Sequence, residues 1–257
     1  SSIHALGGTG VFVKEIQEAV LRGEADVAVH SAKDLPAETP DGLVLASVPE
    51  RADPRDALVG AMLAEIPTGG RVGTGSVRRR AQLSGLRPDL TFAELRGNIP
   101  TRLERAKGFD AGIVAYAALV RLGLAGEAAE VLEPSVMLPQ VGQGALAVEC
   151  RTDDANALDA LAAIDDESTH RAVRAERAFL AALGGGCNLP CGALATSAAA
   201  GSTGEGQLSL EGLLASLDGR IVLRTRESGR DPEALGLLVA RRLVHEEGGS
   251  TLLEGVA

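Results

Sequence analysis

The stretch HSAKDLP, residues 30–36, sets a histidine, a hydroxyl, an ammonium and a carboxylate within five consecutive positions, just where the apolar run ADVAV gives out. A carboxylate placed there can accept N–H hydrogen bonds from a substrate and stabilise positive charge that develops in a transition state. Neighbouring Lys33 and nearby arginines favour its charged form, so Asp34 is expected to stay ionised. The same residue also reads as a turn aspartate that caps its own backbone.

Two later segments supply the opposite charge. In GTGSVRRRAQL (73–83), a glycine turn is followed by Ser76 at a helix N-cap and by Arg78 and Arg79 in the first helical turn. Free backbone N–H groups, the Ser76 hydroxyl and two guanidinium forks would converge on an anion. Cations in a first turn oppose the helix dipole, so either a bound polyanion or a neighbouring acidic loop must offset them. LRGNIPTRL (95–103) repeats the arrangement, with Arg96 leaving a strand, Gly97 in the turn and Arg102 on the next helix. A third kind of chemistry sits in GGGCNLPCGA (184–193). There Cys187 lies on a glycine-rich loop that permits close approach of another group, a setting for a reactive or derivatised thiol. Cys150 and Cys191 read as ordinary buried cysteines.

Composition limits the partners. The net charge is −10, yet residues 71–105 hold eight arginines against three carboxylates, a local +5 that leaves −15 elsewhere. A basic island in an acidic chain suits a compact polyanion. Nucleic acid is not expected, because the chain is acidic overall and aromatics are 2%, too few for base stacking. Three cysteines fit a reducing compartment, no leader or membrane span is expected, and the chain is expected to be cytoplasmic. The Cys-x3-Cys pair lacks a His/Cys cluster, so no metal is expected.

The elements that must position these residues follow from periodicity. A helix after Gly10 places Phe12, Ile16, Ala19 and Val20 on one face and stops at Gly23. Strands are expected at 25–30, 42–48, 57–60, 90–95, 111–116 and 145–150, with helices at 76–86, 99–107 and 115–122 between several of them. That alternation favours α/β units with mainly parallel pairing, whose strand C-terminal loops carry ligands. After Cys150 come helices at 153–164 and 168–183, then three short strands with Asp218-Gly219 as a hairpin turn, and a last helix from Pro232 to His245. The expected domains are 1–47 with 147–165, 52–142, and a small α+β domain at 168–257, with hinges near Pro49 and at 141–145.

Taken together, HSAKDLP, GTGSVRRRAQL, LRGNIPTRL, PQVGQGALAVECR and GGGCNLPCGA resemble the porphobilinogen deaminase (hydroxymethylbilane synthase) family in order and approximate spacing. The resemblance implies two α/β domains of the type II periplasmic-binding-protein kind around a cleft, plus a third domain carrying a dipyrromethane cofactor through a thioether on Cys187. It implies a monomeric transferase that condenses four porphobilinogen molecules head to tail, with loss of ammonia, into the linear tetrapyrrole hydroxymethylbilane, holding the growing oligopyrrole throughout. It further implies Asp34 as the catalytic residue. Ser31, Lys33, Thr74, Ser76, Arg78, Arg79, Arg96, Gly97 and Arg102 would be cofactor contacts, and Arg96, Arg102 and Arg121 substrate contacts. The family's first strand has no counterpart in the sequence. Two other readings stay open on the residues alone: a solute-binding module that uses the same arginines without catalysis, and a phosphate-handling enzyme. The second lacks any Gly-x4-Gly-Lys-Ser/Thr loop.

Overall fold

The structure is a computed structural model that describes residues 9–185, 189–197 and 206–254. Helix α1 (Thr9–Leu21) leads to strand β1 (Val27–Ser31), a 3-10 turn at Ala32–Asp34 and strand β2 (Leu43–Ser47). The chain then crosses to a second sheet. There β3 (Asp56–Val59), β4 (Arg71–Gly73), β5 (Thr91–Ala93), β6 (Ala111–Ala115) and β7 (Ala128–Leu132) lie in the order β5-β4-β6-β3-β7. Helices α2 (Val77–Leu86), α3 (Ile99–Ala106) and α4 (Tyr116–Arg121) follow β4, β5 and β6 in turn.

The chain returns as β8 (Leu146–Arg151), which inserts between β1 and β2 and pairs antiparallel with both. Parallel pairing is therefore not the rule that the alternation suggested. Among the described strands it joins only β4 to β5 and β4 to β6. In the first two sheets the remaining pairs are antiparallel because β3 and β8 each enter a sheet along a direct crossing from the other one, with no crossover helix to restore the strand direction.

Helix α1 also departs from expectation. Its inward face is Val13, Gln17 and Val20, while Phe12 is 55% exposed. The rotation has a cause: Gln17 Nε2 donates to the fully buried Glu149 Oε2 at 2.8 Å, drawing a polar residue under the helix.

Helices α5 (Ala155–Ala162) and α6 (Glu167–Ala182) come next, the latter capped by Asp166, which accepts from Thr169 N at 2.7 Å. Strands β9 (Cys191–Ser197), β10 (Leu208–Ala215) and β11 (Val222–Gly229) form an antiparallel third sheet, with Gly219 at φ +72° in the expected hairpin turn. Helix α7 (Pro232–Arg241) ends earlier than expected. The chain continues through a wider turn at Arg242–Glu246 before α8 (Ser250–Glu254). Phe179 of α6, Leu208, Leu210 and Leu214 of β10 and Val239 of α7 are fully buried in one core, each contributing about 1.5–3 kcal/mol of burial.

Two chain crossings link the first two sheets, and they run side by side. Ala52 N donates to Gly144 O at 3.2 Å, and Arg51 Nε to Gln143 O at 2.9 Å. Gly144 sits at φ +87°, and a Cβ there would lie 2.5 Å from Ala52 O, so glycine is required at this contact. Both crossings meet Glu176 of α6, a fully buried carboxylate that accepts from Arg51 Nη1 at 2.6 Å, Gly142 N at 2.7 Å and Ala195 N at 2.9 Å. Glu176 thus ties the expected hinge segments to the third sheet.

Candidate active site

Strand β1 ends at Ser31, and the 3-10 turn that follows carries Lys33 and Asp34. The turn is pinned from behind: Ala32 N donates to Ala145 O at 3.0 Å, and Gln140 Nε2 to Lys33 O at 3.2 Å. Gly142, at φ +70°, lies against it so closely that a Cβ would come within 3.0 Å of Lys33 N. Ser31, Lys33 and Asp34 are all half-buried.

On the second sheet, β4 runs into Thr74, whose N–H bonds Ala93 O at 2.8 Å and whose hydroxyl accepts from Ser76 N at 3.2 Å. Ser76 caps α2 as expected, accepting from Arg79 N. The arginines in the first turn turn inward. Arg78 and Arg79 are only 3% and 5% exposed, and both reach the fully buried Asp56 at the start of β3. Arg79 Nη2 lies 2.8 Å from Asp56 Oδ1, and Arg78 Nη2 lies 2.8 Å from Oδ2. Gln143 Nε2 adds a bond to Oδ1 at 2.9 Å. Burial pushes the Asp56 carboxyl up, but the two guanidinium groups and Gln143 outweigh it and hold Asp56 below its ordinary value.

A buried carboxylate, missed in the sequence, is therefore what offsets the cations against the helix dipole. The offset is incomplete. Arg78 Nε is buried and has no hydrogen-bond partner among the described residues.

Arg102 is half-buried on α3, with Nε donating to Gly97 O at 2.8 Å; Gly97 itself adopts φ +114°. Asn98 caps this helix through Thr101 N at 3.0 Å. The electrostatic ties join the two sheets. Burial lowers the Arg102 guanidinium, as does the charge of Arg79, while Asp34 raises it. Burial likewise brings Lys33 down to about 8, aided by Arg79 and opposed by Asp34 and Asp56. For Asp34 the expected balance is reversed. Desolvation is the largest effect and pushes its carboxyl above the ordinary value, although Lys33, Arg102 and His30 each draw it down.

The structure thus gathers Lys33, Asp34, Asp56, Arg78, Arg79 and Arg102 in one linked group, Arg78 and Arg79 on Asp56 and Arg102 and Lys33 beside Asp34 and Arg79, with four cations facing two carboxylates. Arg96 stands apart. Its side chain is 77% exposed and paired with Glu94 at 2.7 Å. Arg121, at the end of α4, donates from Nη2 to Gly144 O at 2.7 Å, beside the crossings. Cys187 lies outside the described residues. Strand β9, which begins four residues later, is described: Ala193 N bonds Pro139 O at 3.1 Å, and a Cβ on Gly192 would lie 3.3 Å from Arg78 Cδ.

Comparison with known proteins decides what this arrangement belongs to. The family described as porphobilinogen deaminase, dipyromethane cofactor binding domain, matches residues 1–159, and the porphobilinogen deaminase C-terminal domain matches residues 170–245. The chain belongs to the porphobilinogen deaminase family. Porphobilinogen deaminase of Roseiflexus sp. (strain RS-1) is 49% identical over 98% of this chain and 83% of its own length. That of Brevibacillus brevis is 46% identical over 98% and 82%, and that of Bacillus subtilis 44% over 99% and 81%. The three-sheet α/β architecture is thus that of a porphobilinogen deaminase, and the cofactor of the family is dipyrromethane.

The residues present fit such a group. A dipyrromethane bearing carboxylates needs more cations than anions around it, and the four-against-two balance with an unpartnered Arg78 Nε supplies that. The signal for Asp56 was available in DPRDALVG (53–60), where a charged residue directly heads a buried apolar run.

Proposed function

We propose that this chain performs the family's reaction with Asp34 as its catalytic residue: head-to-tail condensation of four porphobilinogen molecules, with release of ammonia, to hydroxymethylbilane. The supporting observation is the convergence of Lys33, Asp34, Arg78, Arg79 and Arg102, from three separate segments, on one site. The dipyrromethane, when bound, supplies a primer pyrrole already linked to the protein. Cys187 is the residue that would hold it through a thioether. Lys33, Ser31, Thr74, Ser76, Arg78, Arg79, Arg96 and Arg102, with the backbone at Gly97, would bind its carboxylates; Arg96, Arg102 and Arg121 would receive those of incoming porphobilinogen.

Each residue type suits its task. Guanidinium forks bond both oxygens of a carboxylate and stay charged when partly buried. Each pyrrole unit brings further negative charge, so the cations must outnumber the acidic residues at the site. Asp34 is the anion wanted there, because loss of ammonia leaves positive charge on the pyrrole, and a half-buried carboxylate stabilises that charge more strongly than water does. The same carboxylate can accept pyrrole N–H bonds. The domains would be 1–47 with 147–165, 52–142 and 168–257, a division supported by one sheet falling within each range, and the crossings at Arg51 and Gly142–Gly144 would be the hinges along which they adjust to a lengthening product. The protein works as a cytoplasmic monomer. No helix among the described residues is long and apolar enough to cross a membrane.

The purified chain will convert porphobilinogen to a linear tetrapyrrole with four ammonia released per product. Binding of an anion with no ammonia release would favour the solute-binding reading instead. Lys33 adds a pH signature. Because burial brings its ammonium down to about 8 in the cofactor-free protein, binding of the acidic dipyrromethane weakens as pH rises through that value. The rate at which cofactor-free protein gains its dipyrromethane, read by intact mass, will fall about tenfold on this alkaline limb. In Lys33→Met that limb will be missing and loading will be slow throughout.

A further inference from the structure

Leu138 joins the arginine helix to the third sheet. Its carbonyl accepts from Arg78 Nη1 at 2.6 Å and from Gln82 Nε2 at 3.0 Å, while its N–H donates to Gln82 Oε1 at 2.8 Å. The Gln82 side chain therefore brackets one peptide group on both edges. An amide can flip, but this one is keyed: Arg224 Nη2 of β11 donates to the same Oε1 at 3.0 Å. A flipped amide would set its NH2 against both the guanidinium and the Leu138 N–H, so Arg224 fixes which end of Gln82 faces the Leu138 carbonyl. Arg224 is itself held, with Nη1 donating to Pro134 O at 3.1 Å and to Glu211 Oε1 at 3.3 Å. Leu138 is fully buried and Gln82 is 2% exposed, so the bonds between these two are shielded from water. On the far side of the strap, Pro139 O accepts from Ala193 N, and Gly192 packs against Leu138 O and Arg78.

We infer that Gln82 and Arg224, from different domains, are positioning residues that place the Arg78 guanidinium relative to strand β9. Neither touches the reacting groups; both act through Leu138 O. The inference rests on the reading above that Arg78 binds the carboxylates of the tethered pyrrole. It explains why a fully buried backbone carbonyl, rather than a side chain, holds one arm of Arg78. The peptide moves only if the contact between α2 and the third sheet moves, so the reach of Arg78 stays matched to strand β9.

A double-mutant cycle on kcat/KM for porphobilinogen tests this, measured on holoenzyme quantified by intact mass, with Tm recorded for every variant. Arg224→Gln is expected to lower kcat/KM about tenfold and Arg78→Lys about a hundredfold, and the pair to match Arg78→Lys alone, because residues acting through one contact are not additive. Gln82→Glu, which keeps the acceptor for Arg224 and Leu138 N–H but loses the donor to Leu138 O, should reproduce Arg224→Gln should that variant not fold. Additive losses, or a lowered Tm with kcat/KM unchanged, would overturn the inference while leaving the Arg78 assignment standing. An Arg78→Lys enzyme with normal kcat/KM would remove the assignment itself.

Discussion

Replacing Asp34 by Asn will lower kcat by about 10³-fold while the dipyrromethane remains attached. Asparagine keeps the shape and one acceptor oxygen, so the turn pinned by Ala145 O and Gln140 survives, but the negative charge that should offset the developing cation is gone. Wild type will add a second signature. Burial raises the Asp34 carboxyl, and the ionised form is the working one, so activity is lost as pH falls through a value above the ordinary carboxylate range. The acid limb of the kcat/KM profile should lie on that side in wild type. Unimpaired turnover of the Asn variant, measured as ammonia release by cofactor-loaded protein, would count against the catalytic role.

The second large effect concerns stability. Glu176→Gln will destabilise the protein by about 3–5 kcal/mol, because it leaves Arg51, whose side chain is 10% exposed, without its counter-charge. It also sets a donor amide among the N–H groups of Gly142 and Ala195, each of which now has a carboxylate oxygen. At this chain length the loss corresponds to a Tm drop of about 10 °C. Replacing both partners by Met and Leu should recover only part of it. That change removes the buried charge but still leaves the two backbone N–H groups unmet. Calorimetry on the three proteins checks the order: wild type highest, the apolar pair intermediate, Glu176→Gln lowest. A Glu176→Gln protein melting within a degree or two of wild type would mean that the crossings do not depend on this carboxylate.

Much of the site was legible because it is local. The strand-to-turn step at His30–Asp34, the Ser76 cap of α2, the turn from Arg96 into α3 and the Asp218-Gly219 hairpin each follow from a few adjacent residues, and the structure forms every one of them. What stayed hidden is made between distant positions. Asp56 meets arginines more than twenty residues away, Glu176 meets Arg51 across 125, and Arg224 meets Gln82 across 142. Periodicity carries no trace of such pairs; at best it shows a charge heading an apolar run, as at Asp56.

The same limit explains the sheet. That β8 returns between β1 and β2 is a fact of topology, so the alternation of strands and helices suggested more parallel pairing than exists. Strand β7 escaped notice because AAEVL (128–132) alternates too weakly. For Asp34 the error lay in the balance of effects. The neighbouring cations were visible, but the burial that outweighs them depends on how the turn packs.

The most direct test is the intact mass of the chain purified from cells able to make porphobilinogen. If guanidinium groups around Asp56 hold an acidic, thiol-linked dipyrromethane, the native chain will exceed its sequence mass by two linked pyrroles, Cys187→Ser will lack that excess, and Cys191→Ser will retain it. An unmodified chain that nonetheless turns over porphobilinogen, or an excess that persists in Cys187→Ser, would contradict it.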